Sequence, residues 1–141
     1  MKTKLLFLLV FAFALFSLKA QTSLNFDGVN DYVLGTNNAS LNLTQGTIEA
    51  WIKTSDAGTS YRGIIVKQYN YGIFLNSNEL IAFEWISGSL KNTNINLADN
   101  IWHHVAFTFQ SEVVNGSKLY IDGNPVLTFT YKISHFDRTI A

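Results

Sequence analysis

The chain has 141 residues, ten basic and ten acidic side chains and no cysteine. That length suits one domain rather than two. The charge balance argues against nucleic acid, whose binding leans on clustered Lys and Arg, and the missing cysteines exclude a disulfide framework.

The first twenty residues read as a secretory signal peptide. Lys2 and Lys4 form a basic start, Leu5 to Leu18 is apolar apart from Ser17, and Lys19-Ala20 precedes Gln21. The apolar run is short for a span of about 20 residues, so cleavage after Ala20 is expected rather than a membrane anchor. Three lysines and no acids leave with the leader, so residues 21–141 carry seven basic and ten acidic side chains, a net −3. Nothing later in the chain is long and apolar enough for a membrane span. The expected organisation is a leader over 1–20 and one domain over 21–141.

From Gln21 onward the chain alternates short strand patterns with turn signals. Leu24 and Phe26 open a strand that ends at Asp27-Gly28, and Tyr32-Val33-Leu34 forms the next. Thr47 to Lys53 alternates cleanly: Ile48, Ala50 and Ile52 face one way, Glu49, Trp51 and Lys53 the other. Gly63 to Val66 and Tyr71 to Leu75 follow, then Leu80 to Ile86, where Ile81, Phe83 and Trp85 share a face that reads as core. Ser87 to Asn100 reads mostly as polar loop, with Ile95 and Leu97 in an edge strand. Val105, Phe107 and Phe109 alternate with polar residues, as do Leu119 and Ile121. Asp122-Gly123-Asn124 supplies a tight turn, because these residues tolerate the left-handed backbone a hairpin needs. Val126 to Ile133 is the last run. No helical apolar pattern holds over three turns after the leader. Eight or nine short strands at this spacing indicate an all-β, antiparallel two-sheet sandwich or jelly roll.

Four segments carry a family resemblance in the same order. They are Phe26-Asp27-Gly28-Val29-Asn30-Asp31-Tyr32-Val33, Thr47-Ile48-Glu49-Ala50-Trp51-Ile52-Lys53, Trp102-His103-His104-Val105-Ala106-Phe107 and Leu119-Tyr120-Ile121-Asp122-Gly123. Together they resemble the signature blocks of laminin-G-like jelly-roll domains of the concanavalin A-like lectin/glucanase superfamily, over nearly all of residues 21–141. The resemblance implies a two-sheet antiparallel jelly roll in an exported, secreted or surface-attached bacterial protein. It also implies an appendage that binds glycans or other proteins. Such domains usually continue past the hairpin with a further strand, so the sequence is expected to be a truncated domain or the front of a longer protein. A missing strand would leave open sheet edges.

Chemistry-bearing residues are few. His103 and His104 are adjacent, so on a strand they point to opposite faces and cannot share a metal shell; no spaced Cys/His/carboxylate motif accompanies them. His135 stands alone in the tail. Asp27, Asn30 and Asp31 cluster around Gly28, and oxygen ligands on a tight loop suit calcium. The same residues also suit a turn whose side chains bond the backbone. Trp51 lies opposite an apolar face and can either stack on a sugar ring or fill the core, and Trp85 and Trp102 read as core. Tyr61, Arg62, Tyr69 and Tyr71 flank the Gly63 to Val66 run and, with Trp51, form the expected ligand rim. Glucanases of the superfamily carry paired carboxylates along one strand as Glu-x-Asp-x-x-Glu, since retaining chemistry needs two carboxyl groups about 5 Å apart. No such string occurs here, nor a Gly-x-Ser-x-Gly elbow. The reading is therefore a non-catalytic, exported recognition module for carbohydrate or a cell-surface protein. The alternatives are a structural spacer of an adhesin and an accessory domain of a larger polysaccharide-degrading or proteolytic enzyme.

Overall fold

The computed structural model describes residues 23–58 and 61–134. The leader and His135 lie outside the described residues. Two compact units divide the chain at Asp31/Tyr32. In the first, the described residues run from Ser23 and contain no strand. The Asp31 carboxylate accepts from the Asp27 N–H at 2.9 Å, and Asp27 Oδ1 accepts from the Val29 N–H at 2.8 Å. Gly28 provides the positive φ of this turn, +80°. The expected strand at Leu24 and Phe26 is absent: both side chains are exposed and no partner strand takes up their backbone among the described residues.

The second unit holds eight strands among the described residues: β1 (Gln45–Ile52), β2 (Tyr61–Lys67), β3 (Tyr71–Asn76), β4 (Glu79–Glu84), β5 (Ser89–Asn96), β6 (His103–Gln110), β7 (Ser117–Ile121) and β8 (Asn124–Phe129). They form two four-stranded antiparallel sheets, ordered β1-β6-β7-β8 and β2-β3-β4-β5. The chain changes sheet between β1 and β2 and again between β5 and β6. The expected strand at Tyr32-Val33-Leu34 does not form, and these side chains are exposed.

Alternation sets what each sheet buries. Val105, Phe107 and Phe109 of β6 and Leu119 and Ile121 of β7 meet Tyr71, Ile73 and Leu75 of β3 and Leu80 and Ala82 of β4 in one core. Ile48, Ala50 and Ile52 of β1 pack against its margin. Burying side chains of this size contributes about 1.5–3 kcal/mol each, which is what holds a cysteine-free sandwich together.

Leu80 and Ala82, not Ile81, Phe83 and Trp85, point into the sandwich. The two-residue turn Ser77-Asn78 pairs Asn76 with Glu79 and Leu75 with Leu80, so Leu80 must share the inward face of Leu75. The stretch read as loop contains β5, a full eight-residue edge strand whose asparagines at 92, 94 and 96 face solvent. Low β-propensity of asparagine concealed it.

The segment after β8 sutures the layers. The Tyr131 hydroxyl donates to the Phe83 carbonyl at 2.7 Å. The Lys132 N–H donates to Glu84 Oε1 at 2.6 Å. Glu84 also accepts from Ser87 Oγ and, at 3.0 Å, from Ser89 Oγ, and Lys91 Nζ lies 3.7 Å away. Burial pushes this carboxyl up, but the hydrogen bonds from Ser87, Lys132 and Ser89 and the Lys91 charge outweigh it and hold it below the usual glutamate value.

Candidate functional site

The outer face of the β1-β6-β7-β8 sheet carries one large, well-exposed aromatic. Trp51 sits near the end of edge strand β1, opposite the apolar face, and is 65% exposed. Its partner in register is His104. The two ring centroids lie 5.3 Å apart, tilted by 48°. His104 Nε2 is 3.6 Å from Glu49 Oε2, two residues back on β1. An indole face, an imidazole and a carboxylate thus line one stretch of the sheet. Along the same two strands Thr47 pairs with Thr108 and Gln45 with Gln110. The result is a polar, hydrogen-bonding surface around a single tryptophan. The core reading of Trp51 is excluded by this exposure, and so is that of Trp102, which is 48% exposed.

His103 points the other way, as alternation requires. Its Nδ1 is 2.8 Å from Asp122 Oδ2 and its Nε2 is 3.2 Å from both Asp99 oxygens. The hydrogen bond with Asp122 leads in raising its pKa above the ordinary histidine value; burial opposes it and Asp99 adds to it. The Asp122 carboxyl is correspondingly lowered, first by His103 and then by the His104 N–H. Asp122 and Gly123 both have positive φ, 50° and 78°, the backbone of a two-residue hairpin turn.

The five residues expected to form a ligand rim are not brought together. Trp51 projects from one sheet and Tyr61, 56% exposed, stands at the start of β2 in the other. Arg62 is committed to the fold: its Nη1 donates to the Asp56 carbonyl at 2.6 Å and its Nη2 to the Ser77 carbonyl. Tyr69 occupies the β2–β3 turn with φ of 64°. Tyr71 belongs to the core and to no rim. It is 1% exposed, stacks on Phe109 at 4.7 Å and donates its hydroxyl to the Leu41 carbonyl. The sequence reading placed Tyr71 on a strand but in the rim because it flanks the Gly63 to Val66 run, whereas the inward face of β3 begins at Tyr71 itself.

Sequence reasoning also missed an aromatic group on the outer face of the β2-β3-β4-β5 sheet. Phe83 meets Trp85 edge-on at 5.2 Å, Phe74 lies 5.9 Å from Trp85, and Tyr61 lies 6.5 Å from Phe83. The hairpin register that puts Leu80 inside was the available signal.

No group of three or more His, Cys, Asp or Glu side chains suited to a metal occurs among the described residues. In the Asp27–Asp31 loop one oxygen of each carboxylate accepts from a backbone amide, the bonding of a turn whose side chains hold its own backbone. Glu79 and Glu84 alternate to opposite faces of β4, and no helix among the described residues is long and apolar enough to cross a membrane.

Residues 27–139 match the family model of the Concanavalin A-like lectin/glucanases superfamily, in its laminin G-like form. The chain belongs to that superfamily. Among solved structures, this superfamily member is similar to the binding domain of Paraclostridial Mosquitocidal Protein 1. The TM-score is 0.56 at 17% identity, over 76% of this chain and 31% of that one. It is also similar to the LG4-5 domains of the mouse laminin alpha1 chain, with TM-score 0.47 at 16% identity, over 67% of this chain and 26% of that one. The chain thus spans under a third of the length of either structure. No curated protein matches the sequence.

Proposed function

We propose that this laminin G-like domain is an exported, non-catalytic recognition module that binds carbohydrate on the Trp51 face. The observation that carries the reading is the exposed indole of Trp51 beside His104 and Glu49. A fold does not need a tryptophan in that position, since its burial stabilises little there. A sugar does: its C–H face stacks on the indole while its hydroxyls bond polar neighbours. The superfamily's lectins and the binding domain with the same fold support a binding role. On β1 Glu49 has Trp51 rather than a carboxylate at i+2, so the strand lacks the spaced carboxylates of the superfamily's glucanases. This binding mode requires no calcium, since its groups are an indole, an imidazole and one carboxylate, and a chelator is expected to leave it unchanged.

Binding to an immobilised glycan panel, with the chain and its Trp51→Ala variant in parallel, tests the reading. Retention of one glycan class by the chain and loss by the variant supports it; retention of none, by a folded chain, overturns it. A second reading is favoured by one observation. The Tyr61, Phe74, Phe83 and Trp85 face is apolar enough for a surface-protein partner, as in an adhesive module. Substituting Tyr61 or Trp85 separates the two faces.

A further inference from the structure

His103, the first residue of β6, lies between two carboxylates from different connections. Asp122 belongs to the β7–β8 turn and Asp99 to the β5–β6 connection. Ionised carboxylates only accept hydrogen bonds. A neutral imidazole has one N–H and one lone pair, so it satisfies one of these neighbours and repels the other; the imidazolium, with two N–H groups, satisfies both. The bracketing geometry therefore selects the charged ring. Other elements do not oppose it: the β1 partner of His103 is Ile52, and Glu49 and His104 pair with each other on the opposite face.

Each carboxylate also holds backbone. Asp122 Oδ1 accepts from the His104 N–H at 2.9 Å, and Asp99 Oδ1 from the Ile101 N–H at 3.0 Å. The Asn100 N–H donates to the Thr54 carbonyl at 2.8 Å, which fastens the same connection beside the end of β1. One ring thus joins the β5–β6 connection, the β7–β8 turn and the start of β6.

We propose that His103 is a proton-operated latch between the β5–β6 connection and the β7–β8 turn, closed as the imidazolium and open as the neutral ring. The open form keeps one of the two contacts at most. The segment that gains freedom, 99–102, ends in exposed Ile101 and Trp102 and adjoins Thr54, three residues beyond Trp51. The proposal stands whether or not the Trp51 face binds carbohydrate. The sign follows from the raised pKa of His103. The latch is fully closed below the ordinary value of about 6.5 and is lost as pH rises through the higher value of the folded chain.

The test is an amide NMR titration of the ¹⁵N-labelled chain from about pH 5 to about pH 9, spanning the histidine range. The Ile101 and Gly123 amides, on the two connections, are expected to shift with one common midpoint above the usual histidine value. The Asn100 and Ile101 amides should exchange with solvent disproportionately faster above that midpoint. In His103→Gln the common transition should vanish. In Asp99→Asn its midpoint should fall and Ile101 should no longer follow Gly123. Separate midpoints in the parent chain, or an undiminished transition in His103→Gln, would overturn the latch. If His103→Gln does not fold, Asp99→Asn decides, and an unchanged midpoint there overturns it too.

Discussion

The hydroxyl of Tyr131 donates to the carbonyl of Phe83 at 2.7 Å, linking the segment after β8 to the end of β4 in the opposite sheet. Tyr131 is fully buried, and burial raises its pKa far above the ordinary tyrosine value, so the hydroxyl stays protonated and donating at any physiological pH. Tyr131→Phe removes this bond and the longer one to the Asn70 carbonyl, 3.3 Å, from a buried site. The expected cost is about 1–3 kcal/mol, read as a lower urea midpoint with an unchanged slope.

Glu84 gives the sandwich an acid limit. Its folded-state pKa is lowered by the Ser87, Lys132 and Ser89 hydrogen bonds and the Lys91 charge, acting against burial. Its stabilisation is therefore fully present above the unfolded value of about 4.3 and lost as pH falls through the folded value. Glu84→Gln should lower stability at neutral pH by about 1–3 kcal/mol while flattening the acid limb of a stability–pH curve. An acid limb identical in the two proteins would exclude Glu84 as its source.

Phe107 is 0% exposed and contacts Phe109, Phe129 and Tyr131. Phe107→Ala should cost about 3–5 kcal/mol by thermal or urea unfolding. A loss below about 1 kcal/mol would mean the aromatic cluster is not the centre of the core.

Strands β1, β6 and β7 were legible because their apolar residues alternate, and the Asp-Gly turn fixes the β7–β8 pairing; β8 does not alternate and runs Asn124–Phe129 rather than Val126 to Ile133, because it pairs with β7 directly from that turn. In β4, nearly every residue is apolar: Leu80, Ile81, Ala82 and Phe83 offer no alternation, and only the Ser77-Asn78 register decides which face is inside. The same register moves Tyr71 into the core and Trp85 out of it. At the candidate site, the exposed side of Trp51 was readable from Glu49 and Lys53. The His104 ring beside it was not, because that contact joins residues 53 positions apart through strand pairing. Likewise, nothing local shows that Asp99 and Asp122 converge on His103.

Substitutions on the two outer faces should act independently. Tyr61→Ser and Trp51→Ala lie on different sheets with the core between them, so their effects on stability should add to within about 0.3–0.5 kcal/mol. Unfolding of the two single variants and the double variant checks this. Strong coupling would show that the faces communicate through the core.

The most direct measurement is glycan binding by Trp51→Ala alongside its unfolding free energy. Because Trp51 is 65% exposed, the variant should keep its stability to within about 0.5 kcal/mol. It should lose affinity about tenfold or more, the equivalent of about 1.4 kcal/mol, for whichever glycan the parent chain retains. Unchanged affinity, or loss of binding only in step with unfolding, would contradict a carbohydrate platform on this face.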